Sequence, residues 1–311
     1  MRTEDVVRLA TSRPWAQEGW AQDLLGGLPD RLDAAVERWS LTLEGAHLDG
    51  AGLPVLDVLV AGAPAVLKLD GAGTDLAQQV RVLRAAAGRG YVRLLDHAPD
   101  LGAALLERLG RPLSDTVPDP VAQTETLCAL LELAWELPAD VGQATAPEDK
   151  ALGLLEILTE ELAHEGDSGA PRHTEILCRA ADLARELARS PAPVQVVVHG
   201  DPHSLNALRR NGSYAFIDPD GFRCEREYDA GVVLRDLMRQ IDELDRRERP
   251  GAGRRWHASL VDRVADRLGL DRERVAAWAF VERVTTGVWL RRLGYAEEGE
   301  GWLATAGRMV G

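Results

Sequence analysis

The chain has 311 residues, 45% hydrophobic and 28% charged, with a net charge of -14. That is the make-up of an ordinary soluble protein with mass for one large domain or two lobes, and the acidity argues against nonspecific nucleic-acid binding while leaving a cationic partner open beside a plain solubility role. Three scattered cysteines (Cys128, Cys178, Cys224), no signal-peptide core in Met1 to Val7, and no apolar run near the ~20 residues that span a bilayer exclude a disulfide framework, a zinc site and a membrane role. A cytoplasmic protein is the expectation.

Thr3 to Trp39 carries apolar residues at helical intervals (Trp15, Trp20, Leu24, Leu25, Leu32, Ala35, Val36), broken at Gly26-Gly27 and Pro29, which predicts two helices. Trp39 to Glu44 alternates with period two. Gly45 to Gly52 is a glycine-dotted connection, and Val55 to Val60 and Ala65 to Leu69 flank a tight return at Ala61 to Pro64, so an antiparallel meander is expected. Thr74 or Asp75 can cap a helix with Leu76, Val80, Leu83 and Ala87 on its apolar face, ended by Gly88 and Gly90. Tyr91 to Leu95 and Ala103 to Leu106 add two strands.

Helical periodicity then dominates over Val121 to Leu137, Pro147 to Glu165 and Thr174 to Ala188. A strand at Val194 to Val198 and a hairpin over Ala207 to Ile217, turned by Asn211-Gly212, interrupt it. Helices resume over Tyr228 to Leu244, Arg255 to Leu268, Arg272 to Leu290 and Ala296 to Val310. The expected class is α+β: a small β-sheet lobe with one helix, a large helical lobe, and a cleft between them.

The stretch Val196-Val-Val-His-Gly-Asp-Pro-His-Ser-Leu-Asn206 ends a β-branched run on polar residues, and the hairpin returns the chain to Ile217-Asp218. Asp201, Asn206 and Asp218 match in order and spacing the groups that carry phosphoryl transfer. In that chemistry an Asp orients and deprotonates the acceptor hydroxyl, and an Asn and a second Asp supply the oxygen ligands that Mg2+ prefers. One of His199 and His203 is expected to brace the loop backbone. A second anchor is Lys68, on an apolar strand of a chain in which only Lys68 and Lys150 of 36 basic residues are lysines. A compact ammonium there suits nucleotide phosphates, or an edge strand blunted against aggregation. Its carboxylate partner from the following helix is expected to be Asp75, unless that residue only caps the helix. Asp220, Glu225 and Glu227 can line an anionic acceptor pocket, or be solvated loop charges. Asp229 is read as a helix cap that braces the catalytic loop, and Trp256, Trp278, Trp289 and Trp302 as core.

His199 to Asn206, Ile217-Asp-Pro-Asp-Gly221 and Tyr228-Asp229 resemble the aminoglycoside and hydroxyurea antibiotic-resistance kinases, in particular their streptomycin 6-phosphotransferase branch. Ala65 to Leu69, Gly90 to His97, Leu105 to Leu109 and Leu270 to Trp278 extend the likeness from about Trp39 onward. It implies a bilobal protein-kinase-like fold with a helical segment at 1-38, a nucleotide-binding lobe at 39-109 and a helical lobe at 110-311 holding catalytic loop and acceptor site. It also implies ATP with Mg2+, adenine bound by the backbone of Glu107 to Leu109, and transfer to a hydroxyl of a small cationic antibiotic, streptomycin foremost. Pro202, Cys224 and Asp75 depart from the family pattern, which leaves open another acceptor such as hydroxyurea, or a catalytically degenerate nucleotide-binding protein. The sequence leaves the oligomeric state open.

Overall fold

The structure, a computed structural model, describes residues 1-48, 52-71, 75-167 and 172-310. The expected glycine-dotted connection and Thr74 thus fall partly or wholly outside the described residues. Five antiparallel strands, β1 (Leu41–His47), β2 (Val55–Val60), β3 (Ala63–Leu69), β4 (Leu94–Ala98) and β5 (Ala103–Glu107), form one sheet in the order β1-β2-β3-β5-β4. The β2–β3 return uses Ala61 and Gly62 at φ 49° and 83°, the left-handed pair that suits the twist of a hairpin. Along β3 the faces alternate. Ala65, Leu67 and Leu69 join a core beneath the N-terminal helices α1 (Thr3–Thr11) and α2 (Gly19–Trp39), while Lys68 points to the opposite face.

One expectation fails in α2. Gly26, Gly27 and Pro29 do not break it, and it runs unbroken for 21 residues. A proline inside a helix costs about 3 kcal/mol, but Leu28 and Leu32 are buried against the sheet, and each gains about 1.5–3 kcal/mol from burial. The N-terminal segment therefore shares the core of the sheet. Tyr91 departs from the sheet as well: β4 begins at Leu94, and Tyr91 instead bridges Phe216 of the helical lobe.

The helix α3 (Leu76–Ala86) packs on the Lys68 face and belongs to the main core, which continues into the helical lobe. That lobe holds α4 (Leu113–Thr116), α5 (Pro120–Ala134), α6 (Asp149–Asp167), α7 (Thr174–Arg189), α8 (Arg226–Arg235), α9 (Met238–Arg247), α10 (Ala252–Leu268), α11 (Arg272–Arg292) and α12 (Ala296–Val310). Set among them are the short strand pair β6 (Val196–Val197) with β9 (Arg223–Cys224) and the hairpin β7 (Ala207–Arg210) with β8 (Ser213–Phe216). The helix expected over Tyr228 to Leu244 is two helices, α8 and α9, parted at Asp236 and Leu237.

Candidate active site at the mouth of the cleft

The loop between β6 and β7 carries Asp201, and a buried carboxylate on α8 sets its shape. Asp229 accepts from His199 N at 2.9 Å, Gly200 N at 3.0 Å and Trp135 Nε1 at 2.9 Å. Burial pushes its carboxyl up to about 6 against these bonds. Asp229 braces the loop as expected, but it does not cap the helix, because α8 begins at Arg226 with Glu225 at the cap position.

His199 is the second brace. Its ring lies between Tyr91, stacked at 5.8 Å, and Phe216 at 4.5 Å. Nε2 donates to Ile217 O at 2.9 Å and Nδ1 accepts from Asp201 N at 3.1 Å. Those two roles require a neutral ring, and burial draws its pKa down to about 4. One histidine thus ties the Asp201 backbone to the strand end that presents Asp218.

Asp201 itself is half-exposed. Oδ1 accepts from Arg235 Nη2 at 2.8 Å, and Oδ2 lies 3.2 Å from His203 Nε2. Burial alone would raise its carboxyl, but the His203 and Arg235 charges win and hold it well below the ordinary range. Asp201 is therefore ionised at neutral pH, a weak base with a fixed direction. Asn206 Nδ2 donates to Asp201 O at 2.9 Å, which turns Oδ1 of the amide away as the free oxygen donor.

The hairpin returns as the turn residues dictate, Asn211 and Gly212 having φ 47° and 87°. Ile217 N then bonds Asn206 O at 2.9 Å, so Asn206 and Asp218 are brought to adjacent strand ends. Asp218 sits at φ 55°, a left-handed conformation that Asp tolerates better than most residues. Its Oδ1 lies 2.6 Å from Lys68 Nζ, which reaches across from the sheet. The structure thus brings together Lys68, Asp201, Asn206 and Asp218.

Asp75 is not the partner of Lys68. Its carboxylate caps α3 by accepting from Gln78 N at 2.9 Å, and the helix offers Lys68 the neutral amide of Gln79 instead, at 2.9 Å. The reason is position. An N-cap side chain turns back onto its own helix, whereas Gln79 lies one turn further along on the buried face. Gln78, beside it, donates to Val141 O at 3.0 Å and Gly221 O at 2.6 Å, tying α3 to the chain beyond Asp218. Two adjacent glutamines on an apolar helix face were the available signal for both contacts.

At the hinge, the Glu107 carboxylate accepts from Arg93 N at 2.8 Å and Arg93 Nε at 3.0 Å and pairs with Arg210 at 3.1 Å, so it serves the framework. The backbone N–H and C=O of Leu109 have no partner among the described residues and remain available to a ligand.

The three acidic residues beyond Asp218 separate. Asp220 opens to solvent in a recess against Gly200, where a Cβ would collide with its carboxylate. Partial desolvation in that recess and the Asp201 charge raise its carboxyl, against the pull of Lys150. Glu225, against expectation, lines no pocket: it is 1% exposed and joins Arg274, Trp278 and Ala192 N, binding the start of α8 to α11. Glu227 lies in the first turn of α8, and no ion pair or hydrogen bond joins it to the cleft among the described residues. Sequence reasoning missed Arg235, with Asp236 at 2.6 Å, and Glu282, with Lys150 Nζ at 3.2 Å. The scarcity of lysine pointed to Lys150, the second of two.

Residues 38–294 match the family described as aminoglycoside/hydroxyurea antibiotic resistance kinase. The chain is 31% identical to the streptomycin 6-kinase of Streptomyces glaucescens over 286 residues, 89% of this chain and 87% of that protein. It is 32% identical to the hydroxyurea phosphotransferase of Kitasatospora aureofaciens over 273 residues, 86% of this chain and 74% of that protein. The fold matches the crystal structure of aminoglycoside phosphotransferase APH(4)-Ia with a TM-score of 0.61 at 15% identity, over 91% of this chain and 99% of that one. A thermostable mutant of APH(4)-Ia has been solved as a ternary complex with ADP and hygromycin B.

Proposed function

The chain belongs to the aminoglycoside/hydroxyurea antibiotic resistance kinase family, small-molecule phosphotransferases with a bilobal kinase-like fold, and we propose that it transfers the γ-phosphoryl group of ATP to a hydroxyl of streptomycin, the 6-hydroxyl by its likeness to the streptomycin 6-kinases. The observation that carries the phosphotransferase chemistry is the convergence of Lys68, Asp201, Asn206 and Asp218, sealed by the 2.6 Å contact between Lys68 and Asp218. ATP lies between the lobes, residues 39-109 above and 110-311 below. Adenine would meet the backbone of Glu107 to Leu109, and Lys68 would hold the phosphates.

Asn206 and Asp218 would hold Mg2+; an amide oxygen and a carboxylate are the hard donors that the ion prefers. Bound there, the ion neutralises charge on the phosphates. Asp201 takes the acceptor hydroxyl at Oδ2, the oxygen shared with His203, while Arg235 keeps Oδ1 fixed. Its low basicity suits a loose transition state in which the proton leaves late and direction matters more than strength. Asp220 and Asp236 offer carboxylates to the guanidinium groups of streptomycin. The three cysteines are free thiols, in keeping with a reducing cytoplasm. Among the described residues, no helix is long and apolar enough to cross a membrane.

Release of ADP from ATP-Mg2+, measured against streptomycin, hydroxyurea and a panel of hydroxyl-bearing cations, tests the reading. Turnover with streptomycin and phosphate on its 6-hydroxyl is expected. Turnover with hydroxyurea alone would overturn the acceptor and favour the second reading, which the 32% identity to a hydroxyurea phosphotransferase supports. Nucleotide binding without phosphorylation of any acceptor would instead indicate a degenerate binding protein.

A further inference from the structure

Arg235, the guanidinium that holds Asp201, ends α8 at a point where the sequence predicts helix through to Leu244. In an unbroken helix the carbonyls of Leu234 and Arg235 would accept from the backbone four residues on. Here Arg283 of α11 reaches both, Nη2 donating to Leu234 O at 2.9 Å, where His257 Nε2 also bonds at 3.1 Å, and Nε donating to Arg235 O at 3.0 Å. Arg283 is wholly buried and pairs with no carboxylate among the described residues. Burial draws the guanidinium down to about 10 against the pull of the Asp236 charge, and the negative end of the α8 dipole also faces it.

The preceding residue on α11 holds the other end of Arg235. Glu282 Oε2 is 3.7 Å from Arg235 Nη1, while Oε1 is 2.9 Å from the Tyr228 hydroxyl and 3.2 Å from Lys150 Nζ. Lys150 in turn lies 5.0 Å over the Tyr228 ring and 5.6 Å over that of Phe222. On its far side Arg235 Nε is bound to Asp236 Oδ1 at 2.6 Å. Glu282 is thus one of three carboxylates around the guanidinium, beside Asp236 and Asp201, and removing its charge would leave Nη1 without a carboxylate and loosen the direction in which Nη2 meets Asp201.

We propose that Glu282 and Arg283 form a clamp that aims Arg235 at Asp201, with Lys150 as the counter-ion that keeps the Glu282 carboxylate within reach. Arg283 sets where the helix ends and Glu282 sets the direction of the side chain. All three are positioning residues, and none touches the reacting atoms. The inference rests on the reading of Asp201 as the base.

Because Arg283→Met removes a buried helix cap and can unfold the chain, Glu282→Gln and Lys150→Met carry the test. ADP release is followed with streptomycin, with hydroxyurea and with water as acceptor, so that a slow ATP hydrolysis remains measurable. Glu282→Gln should lower kcat about tenfold through misdirection of the base while leaving KM for ATP within about twofold. The loss should vanish on an Arg235→Met background, and Lys150→Arg should restore what Lys150→Met removes. Unchanged kcat in Glu282→Gln, or losses that add to those of Arg235→Met, overturn the clamp. The two readings fail differently: near-normal turnover in Asp201→Ala removes the base, whereas a dead Asp201→Ala beside a fully active Glu282→Gln removes the clamp alone.

Discussion

The two sides of the cleft hold their functional groups by different means. In the helical lobe Asp201 and its loop are held by bonds to backbone or to a charge: Asp229 pins two amides of the loop, His199 ties the loop to Ile217, and Arg235 fixes Asp201. On the sheet side Lys68 has one neutral amide from its own lobe, Gln79, and its charged partner Asp218 comes from the opposite lobe. A tightly held Asp201 therefore faces a lysine whose charged partner belongs to the other lobe. That difference suits a reaction in which phosphates must be admitted and released while the acceptor hydroxyl needs one fixed direction.

The largest effect expected is on the rigid side. Asp201→Ala should reduce turnover by roughly 10²- to 10⁴-fold while nucleotide binding, measured by calorimetry, is retained. Asp229→Ala should be the next largest, because it strands three buried donors at about 1–3 kcal/mol each. A loss of at least ~3 kcal/mol in urea unfolding, with lost turnover, is expected; a stable, active variant would show that the loop does not depend on this brace.

Lys68→Met should raise KM for ATP by about 10- to 100-fold, the worth of one charge-assisted contact, without altering unfolding as Asp229→Ala does. An equal loss of stability would erase the contrast between the two sides.

A smaller effect sharpens the contrast through pH. His257, buried on α10 and packed against Arg283, has its pKa drawn down to about 3 by burial and by that charge. A depressed histidine stays neutral when folded, so its contribution is complete above the unfolded value near 6.5 and is lost as pH falls toward the folded value. Between pH 7.5 and 5.5 this costs on the order of 1 kcal/mol, which His257→Gln should remove from the pH dependence of urea unfolding. His199, also in the helical lobe, should add a similar loss over the same range.

The smallest expected change is Gln79→Glu. It supplies the acid that Asp75 does not, yet Lys68 already has Asp218, so KM for ATP should shift less than about fivefold. A large gain would show that the neutral amide limits activity.

Much of this was legible in residue order. The strand ending at His199 and the Asn211-Gly212 turn bring Asp201, Asn206 and Asp218 together as the sequence predicts, because turn chemistry and strand alternation act over a few residues. Helix limits in α6, α7 and α11 followed from apolar spacing to within a few residues. Misreadings arose where distant burial outweighed local preference. Pro29 sits inside α2 because Leu28 and Leu32 cover the sheet, and Glu225 is internal because Arg274 and Trp278 reach it from α11.

By itself, then, the sequence determined the family to which the chain belongs and singled out the loop of Asp201 and Asn206 with Asp218, since both reside in short runs whose spacing survives without any knowledge of packing. Only the tertiary structure decided what holds that loop and where the charges around it point. Gln79 instead of Asp75, Arg235 on Asp201, and Arg283 ending α8 are contacts between residues 11 to 49 positions apart. Such pairings depend on which buried polar group happens to face which donor once the helices have packed, and no local pattern records that.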